Sequence, residues 1–247
     1  VIVEGQQIAA VGLAAEFSSE ASDQVYELPG LTLLPGLFDT HLHIYASGSV
    51  ERLVEKPPTN SEGLEQLVAA YHLRAHLEAG FTTVRDVGSV NGAMWTLRYA
   101  EQLALIPAPR LVASGKCLTV TGGHGTEYGV DMAWECDSAG DLVKAVRRQQ
   151  HEGCDFVKVI ASRRAPDGRF GFAAWSVEEL RAAVDEAHAF GLKVVAHVSG
   201  GPEAPWVAVE AGVDSLEHGW GLDEATMEAM AERGTFLVPT LAVVNQK

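Results

Sequence analysis

Apolar and polar positions follow two rhythms along this chain, and from about residue 30 onward the rhythms succeed one another in a fixed order. Amphipathic stretches with helical spacing lead into short apolar runs rich in β-branched residues, the signature of strands buried on both faces. A glycine marks each junction: Glu78-Ala79-Gly80-Phe81, Glu152-Gly153-Cys154-Asp155-Phe156, Phe190-Gly191-Leu192-Lys193-Val194, Ala211-Gly212-Val213-Asp214-Ser215 and Arg233-Gly234-Thr235-Phe236. Glycine takes the left-handed C-cap of a helix at least cost. Ser176-Val177-Glu178-Glu179 reads as a capping box opening one of the helices. The apolar runs predict strands at 33–37, 81–87, 111–114, 156–160, 194–198, 215–217 and 236–240. Seven strands alternating with helices or long loops predict an α/β fold, a (β/α)8 barrel lacking its last βα unit. An open doubly wound sheet is the alternative.

Residues 1–12 read as two short strands around a turn at Gly5. They suggest a partial β-sandwich segment over 1–30, followed by the incomplete barrel over 31–247. An isolated hairpin is marginal in water, and the chain opens on Val1. The expectation is that the natural N-terminus, with any signal segment, lies upstream.

Composition narrows the function class. Of 247 residues, 47% are hydrophobic and 21% charged, which suits a globular protein with a sizeable core. A formal charge of -15 argues against nucleic acid and against an anionic membrane surface as partners. No apolar run approaches the roughly 18 residues needed to span a bilayer. These features predict a cytoplasmic protein acting on a small molecule, with a homo-oligomer left open. Cys117, Cys136 and Cys154 are odd in number and lack CxxC spacing, so buried packing is their expected role.

The candidate chemistry begins at Asp39-Thr40-His41-Leu42-His43. Residues two apart on a strand point the same way, so His41 and His43 present two imidazoles that one cation can bridge. Alone the pair is weak, because His-x-His arises by chance. Three later apolar strands add Lys158, in Phe156-Val157-Lys158-Val159-Ile160, His197, in Val194-Val195-Ala196-His197, and His218, in Ser215-Leu216-Glu217-His218. A lysine in such a strand costs several kcal/mol of desolvation unless it is paired or modified. A lone buried histidine is ordinarily a hydrogen-bonded core residue. Five such residues at strand ends that converge when the sheet closes point to metal ligation, at the face where barrel enzymes keep their chemistry.

His124, in the Gly-rich loop after the third strand, is either a substrate contact or a mobile loop residue. Arg163 and Arg164, in a loop after the fourth main strand, offer a fork for a substrate carboxylate, with a solvated loop equally open. His72 and His76 stand i, i+4 on an outer helix without the glutamate of a metalloprotease motif, so they are not taken as ligands. Asp39, one pleat deeper than His41, is expected to orient a ligand by a hydrogen bond. Asp214 and Asp223 end no strand and are given no catalytic role.

Over essentially its whole length the chain resembles the amidohydrolase superfamily. Leu34-Pro35-Gly36-Leu37-Phe38-Asp39-Thr40-His41-Leu42-His43 is similar to the first-strand signature of that superfamily, and Lys158 falls where it carries a lysine that reacts with carbon dioxide. His197 and His218 match its fifth- and sixth-strand histidines. Thr121-Gly122-Gly123-His124-Gly125 and Val213-Asp214-Ser215-Leu216-Glu217-His218-Gly219 resemble the imidazolonepropionase-related branch that includes metal-dependent Xaa-Pro dipeptidases. The resemblance implies a binuclear hydrolase cleaving an amide or other C–N bond in a dipeptide, an N-acyl amino acid or a cyclic amide. It implies two divalent metal ions, zinc foremost, bridged by a hydroxide: one held by His41, His43 and the Lys158 carbamate, the other by the carbamate, His197 and His218. His124 becomes a contact to the substrate carbonyl. The family's general base is an aspartate ending strand eight, which is expected beyond Lys247. Ser199-Gly200-Gly201-Pro202 departs from the peptidase pattern, where a tyrosine usually follows, so dipeptide specificity is not implied. Two alternatives stand beside this reading: a mononuclear deaminase or imidazolone hydrolase of the same fold, and a truncated, non-catalytic metal-binding barrel.

Overall fold

The computed structural model describes residues 1–45, 62–90, 93–127, 131–164, 168 and 170–244. It divides into two units, Val1–Pro35 and Gly36–Lys247. In the first, β1 (Ile2–Glu4) and β2 (Gln7–Ala10) form an antiparallel hairpin with Glu4 opposite Gln7. Gly5 in the turn has φ +60°, the conformation glycine adopts without a Cβ penalty. The hairpin expected around Gly5 is therefore present. A single 3-10 turn, Ala14–Glu16, follows, its Glu16 carboxylate accepting the Leu13 N–H.

The second unit begins with β3 (Leu37–Leu42), not with the strand expected over 33–37. Pro35 has no N–H to give a ladder, and Gly36 passes so close to Thr82 that any Cβ would collide with its side chain. Pairing starts only at Leu37, whose N–H donates to the Gly80 carbonyl. The remaining elements are α1 (Glu62–Glu78), β4 (Phe81–Asp86), α2 (Ala93–Gln102), β5 (Arg110–Ala113), β6 (Cys117–Thr119), β7 (Ala133–Glu135), α3 (Ala139–Glu152), β8 (Phe156–Ile160), β9 (Ser162–Arg164), β10 (Phe170–Ala173), α4 (Val177–Ala189), β11 (Lys193–Val198), α5 (Glu203–Ala211), β12 (Ser215–His218), α6 (Glu224–Arg233), β13 (Phe236–Val238) and α7 (Leu241–Val244).

The main strands run parallel, in the orders β3-β4-β5 and β13-β12-β11-β8-β6-β7. Asp155, just ahead of β8, joins the two sheets: its N–H donates to the Ala113 carbonyl and its carboxylate accepts the Ala113 N–H. The α/β class is as expected. Strands β6, β7, β9 and β10 were not, because three or four residues carry too little periodicity to read. The glycine stops act as predicted, with Gly153, Gly212 and Gly234 as left-handed C-caps. Ser176 and Glu179 form the reciprocal capping box of α4.

Strand alternation sorts the core from the site. Val157 and Val159 of β8, Val194, Ala196 and Val198 of β11 and Leu216 of β12 pack in one cluster with Leu142, Val146, Leu180 and Val209 of the helices. The intervening positions are Lys158, His197, Ser215 and Glu217, all buried; by strand period they share the face turned away from the helices. A second cluster joins Leu42, Val84 and Leu111 to Ala69 and Leu73 of α1 and to Met94 and Leu97 of α2. All three cysteines are buried and unpaired, consistent with packing.

Candidate metal centre

Four imidazoles converge at the C-terminal ends of β3, β11 and β12. Ring centroids of His41 and His43 are 5.6 Å apart, those of His41 and His218 4.8 Å, and those of His197 and His218 4.6 Å. Lys158 lies 1% exposed in the middle of β8, and its charge acts on all four rings. The structure thus sets the four nominated histidines side by side, with Lys158 within electrostatic reach of each. Among the described residues, no three His, Cys, Asp or Glu side chains already stand in ligating positions around one point.

Hydrogen bonds fix which imidazole nitrogen carries the proton. His41 Nδ1 donates to Glu217 Oε2 at 2.5 Å, and His43 Nδ1 donates to the Gly88 carbonyl at 2.9 Å. A carboxylate and a carbonyl only accept, so neutral His41 and His43 both keep Nε2 bare. His218 Nδ1 pairs with Thr240 Oγ1 at 2.7 Å, and its Nε2 lies 2.9 Å from His197 Nδ1. Burial, reinforced by the Lys158 charge, pushes His43 and His218 down to about 4. Burial pushes His41 lower still and His197 well below its ordinary value. The cluster is therefore neutral at pH 7, the form in which imidazole binds a cation. Burial likewise lowers Lys158, against the opposing pull of Glu217, Cys117 and Asp86.

Several holding residues were not read from the sequence. Glu217 is fully buried and divides its oxygens between His41 and Arg85. Arg85 also donates through Nε to the Thr40 carbonyl at 2.5 Å. Asp86, pushed up to about 7 by burial, accepts the N–H groups of Ile44 and Gly88 and so fixes the loop whose carbonyl holds His43. A buried acid in an apolar strand is the same signal that singled out Lys158, and Glu217 carried it.

His124 reaches the cluster, its ring 4.7 Å from that of His197. Glu127 accepts from His124 at 2.6 Å. Burial pushes Glu127 up, but the bonds from His124 and the Gly125 N–H outweigh it and hold the carboxyl at about 2. Arg163 and Arg164 do not lie in a loop: they form β9, paired antiparallel with β10, and Arg163 Nε donates to the Ala173 carbonyl. Asp39 accepts the His41 backbone N–H at 3.0 Å, so it touches the main chain of a candidate ligand and not its ring. His76 Nδ1 donates to the His72 carbonyl and His72 Nδ1 to the Ile44 carbonyl, outside the cluster. Asp214 works at the opposite strand end, accepting from Lys193, His188 and the Val194 N–H, and Asp223 caps α6.

The amidohydrolase family model matches residues 32–247, and the chain belongs to that family. It is 33% identical over 224 residues to an uncharacterized protein of Mycobacterium tuberculosis (strain ATCC 25618 / H37Rv), covering 89% of this chain and 53% of that one. It is 29% identical over 276 aligned positions to ochratoxinase of Aspergillus niger, covering 99% and 55%. Among solved structures, a prolidase complexed with N-methylphosphonate-L-proline matches with a TM-score of 0.72 at 33% identity, over 88% of this chain and 58% of that one. The chain spans about half the length of the curated relatives it matches. Among the described residues, no helix is long and apolar enough to cross a membrane.

Proposed function

We propose that this chain carries the binuclear metal centre of a hydrolase that cleaves an amide or related C–N bond in a small molecule. The observation that carries the proposal is the convergence of His41, His43, His197 and His218, with buried Lys158 within electrostatic reach of all four. Imidazole nitrogens and a carbamate oxygen are a donor set suited to zinc. His197 Nδ1 and His218 Nε2 face each other at 2.9 Å; tetrahedral zinc with ligands at about 2.0–2.1 Å sets its nitrogens about 3.3 Å apart, so the two rings would part slightly to share an ion. His41 and His43 would hold one cation and His197 and His218 the other, with modified Lys158 between them. When bound, a pair of divalent ions supplies an acidified water and a polarised substrate carbonyl.

The chain's own residues prepare that chemistry. Burial lowers the Lys158 amine and so raises its free-base fraction; its Nζ lone pair can attack carbon dioxide, a C=O π bond opens as the N–C bond forms, one proton leaves to solvent, and an anionic carbamate replaces the amine. His124, braced by Glu127, is placed to donate to a substrate carbonyl. Arg163 and Arg164 remain candidates for a substrate carboxylate. The sheet is read as part of a (β/α)8 barrel over residues 31–247, with residues 1–30 as a piece of a β-sandwich. Similarity to a prolidase and an ochratoxinase supports an amide substrate.

The test is turnover of a panel of dipeptides and N-acyl amino acids by the zinc-loaded chain, with and without chelator. Chelator-sensitive hydrolysis that falls at least about 100-fold in Lys158→Ala is expected. Full zinc occupancy with no hydrolysis would favour the non-catalytic reading, and full activity in Lys158→Ala the mononuclear one.

A further inference from the structure

We propose that Glu217 is the positioning residue of this centre, holding His41 in its Nδ1–H form so that Nε2 is kept for a cation, while Arg85 holds Glu217. The inference rests on the metal reading above and extends it to a residue outside the ligand set.

The carboxylate is fully buried on β12, and its two oxygens do different work. Oε1 accepts from Arg85 Nη2 at 2.7 Å and from Ser215 Oγ at 3.0 Å. Oε2 accepts from His41 Nδ1 at 2.5 Å. An isolated buried Arg–Glu pair satisfies itself best as a two-pronged fork, with both oxygens on one guanidinium. Here the fork is split, and one oxygen is given to an imidazole of β3, 176 residues earlier in the chain. Arg85 is itself held on two further sides: its Nε donates to the Thr40 carbonyl, beside His41, and its guanidinium lies 5.4 Å from the Phe156 ring centre. Residues of β3, β4 and β12 thus lock one ring.

His43 provides a built-in control. Its Nδ1–H is set by the Gly88 carbonyl, a main-chain group that no change at Glu217 removes. Loss of Glu217 must therefore act on His41 and spare His43.

A glutamine at this position makes a sharper prediction than an alanine. The Arg85 guanidinium can only donate to Oε1, and Ser215 donates there as well, so the amide oxygen of Glu217→Gln stays with them. The amide NH2 then faces His41 Nδ1, which must accept, and the imidazole proton moves to Nε2.

The experiment is nitrogen NMR of the full 247-residue chain labelled with 15N-histidine, in chelator, with His41 assigned by its loss in His41→Asn. Zinc affinity of the same proteins is then measured by chelator competition. The wild type should show Nδ1–H at His41 and His43. Glu217→Gln should reverse His41 and leave His43 unchanged; Glu217→Ala should give a mixture at His41 alone. Both variants should bind Zn2+ about 10–100-fold more weakly. His41 unchanged in both variants, with zinc affinity intact, would overturn the positioning role. His41 reversed in Glu217→Gln, with no Zn2+ bound by the wild type, would uphold the Glu217–His41 link and overturn the metal reading instead.

Discussion

His197 Nδ1 and His218 Nε2 lie 2.9 Å apart although strand alternation should part them. In the β11–β12 ladder His197 pairs with Glu217, and His218 pairs with Val198, a core residue. Glu217 and His218 are consecutive, so a regular strand would turn them to opposite faces. His218 escapes by taking φ +69°, a left-handed conformation rare outside glycine. Its ring then swings onto the side of His41 and His197. Thr240, which pairs with His218 Nδ1, is also left-handed at φ +44°. Such strain collects at functional sites, where surrounding contacts enforce it.

The strain at His218 has a measurable size. In chelator, His218→Gly should be more stable than His218→Ala by about 1 kcal/mol, because only the alanine keeps a Cβ at positive φ. Urea unfolding of the two variants decides it. Equal midpoints, or a more stable alanine variant, would mean that the backbone relaxes freely there.

Gly88 is required by space. A Cβ at Gly88 would stand 2.6 Å from Cys117 Sγ and 3.2 Å from His43 Cε1. Gly88→Ala should destabilise the chain by about 1–3 kcal/mol. Adding Cys117→Ala should return part of that loss by removing the nearer atom. Thermal or urea unfolding of the single and double variants checks both statements, and a double variant no better than the single would place the conflict at His43.

Lys158 sets function against stability. Lys158→Met replaces a buried amine by an apolar chain of similar length, so in chelator the variant should be more stable than the wild type by on the order of 1 kcal/mol. The same change should abolish chelator-sensitive hydrolysis. A destabilised Lys158→Met would show that the amine is well paired in the fold.

The acid side of the stability curve should carry the mark of Asp214. Burial raises its carboxyl, but bonds from Lys193, His188 and the Val194 N–H outweigh burial and leave it below its ordinary value. A carboxyl depressed in the folded state stabilises fully above its unfolded value, about 3.9, and the contribution fades as pH falls through the folded value. Asp214→Asn should therefore cost stability at pH 7, and the deficit should shrink below about pH 4. Urea midpoints of both proteins at pH 7 and pH 3 test this, and a deficit independent of pH would remove Asp214 from the account.

Much of the candidate site is legible in the sequence. His41, His43, Lys158 and His197 announce themselves because strand period and apolar context say where they must sit. Glu217 and Arg85 do not, since their partnership spans 132 residues and that of Glu217 with His41 spans 176. No local pattern encodes such pairs. The turn of His218 onto the site face depends on a backbone angle that sequence period does not express. The first strand was misplaced because its apolar run begins before Pro35 and Gly36, whereas ladder bonding begins after them. Arg163 and Arg164 were read as loop because the β9–β10 hairpin is too short to show alternation.

Zinc-edge anomalous diffraction from crystals of this chain soaked in Zn2+ decides whether these residues hold divalent cations. Anomalous density is expected within bonding distance of His41 and His43 Nε2 and of the His197 and His218 rings, with Lys158 modified between them. Crystals that take up zinc elsewhere, or show none at these imidazoles at saturating Zn2+, would contradict the metal reading.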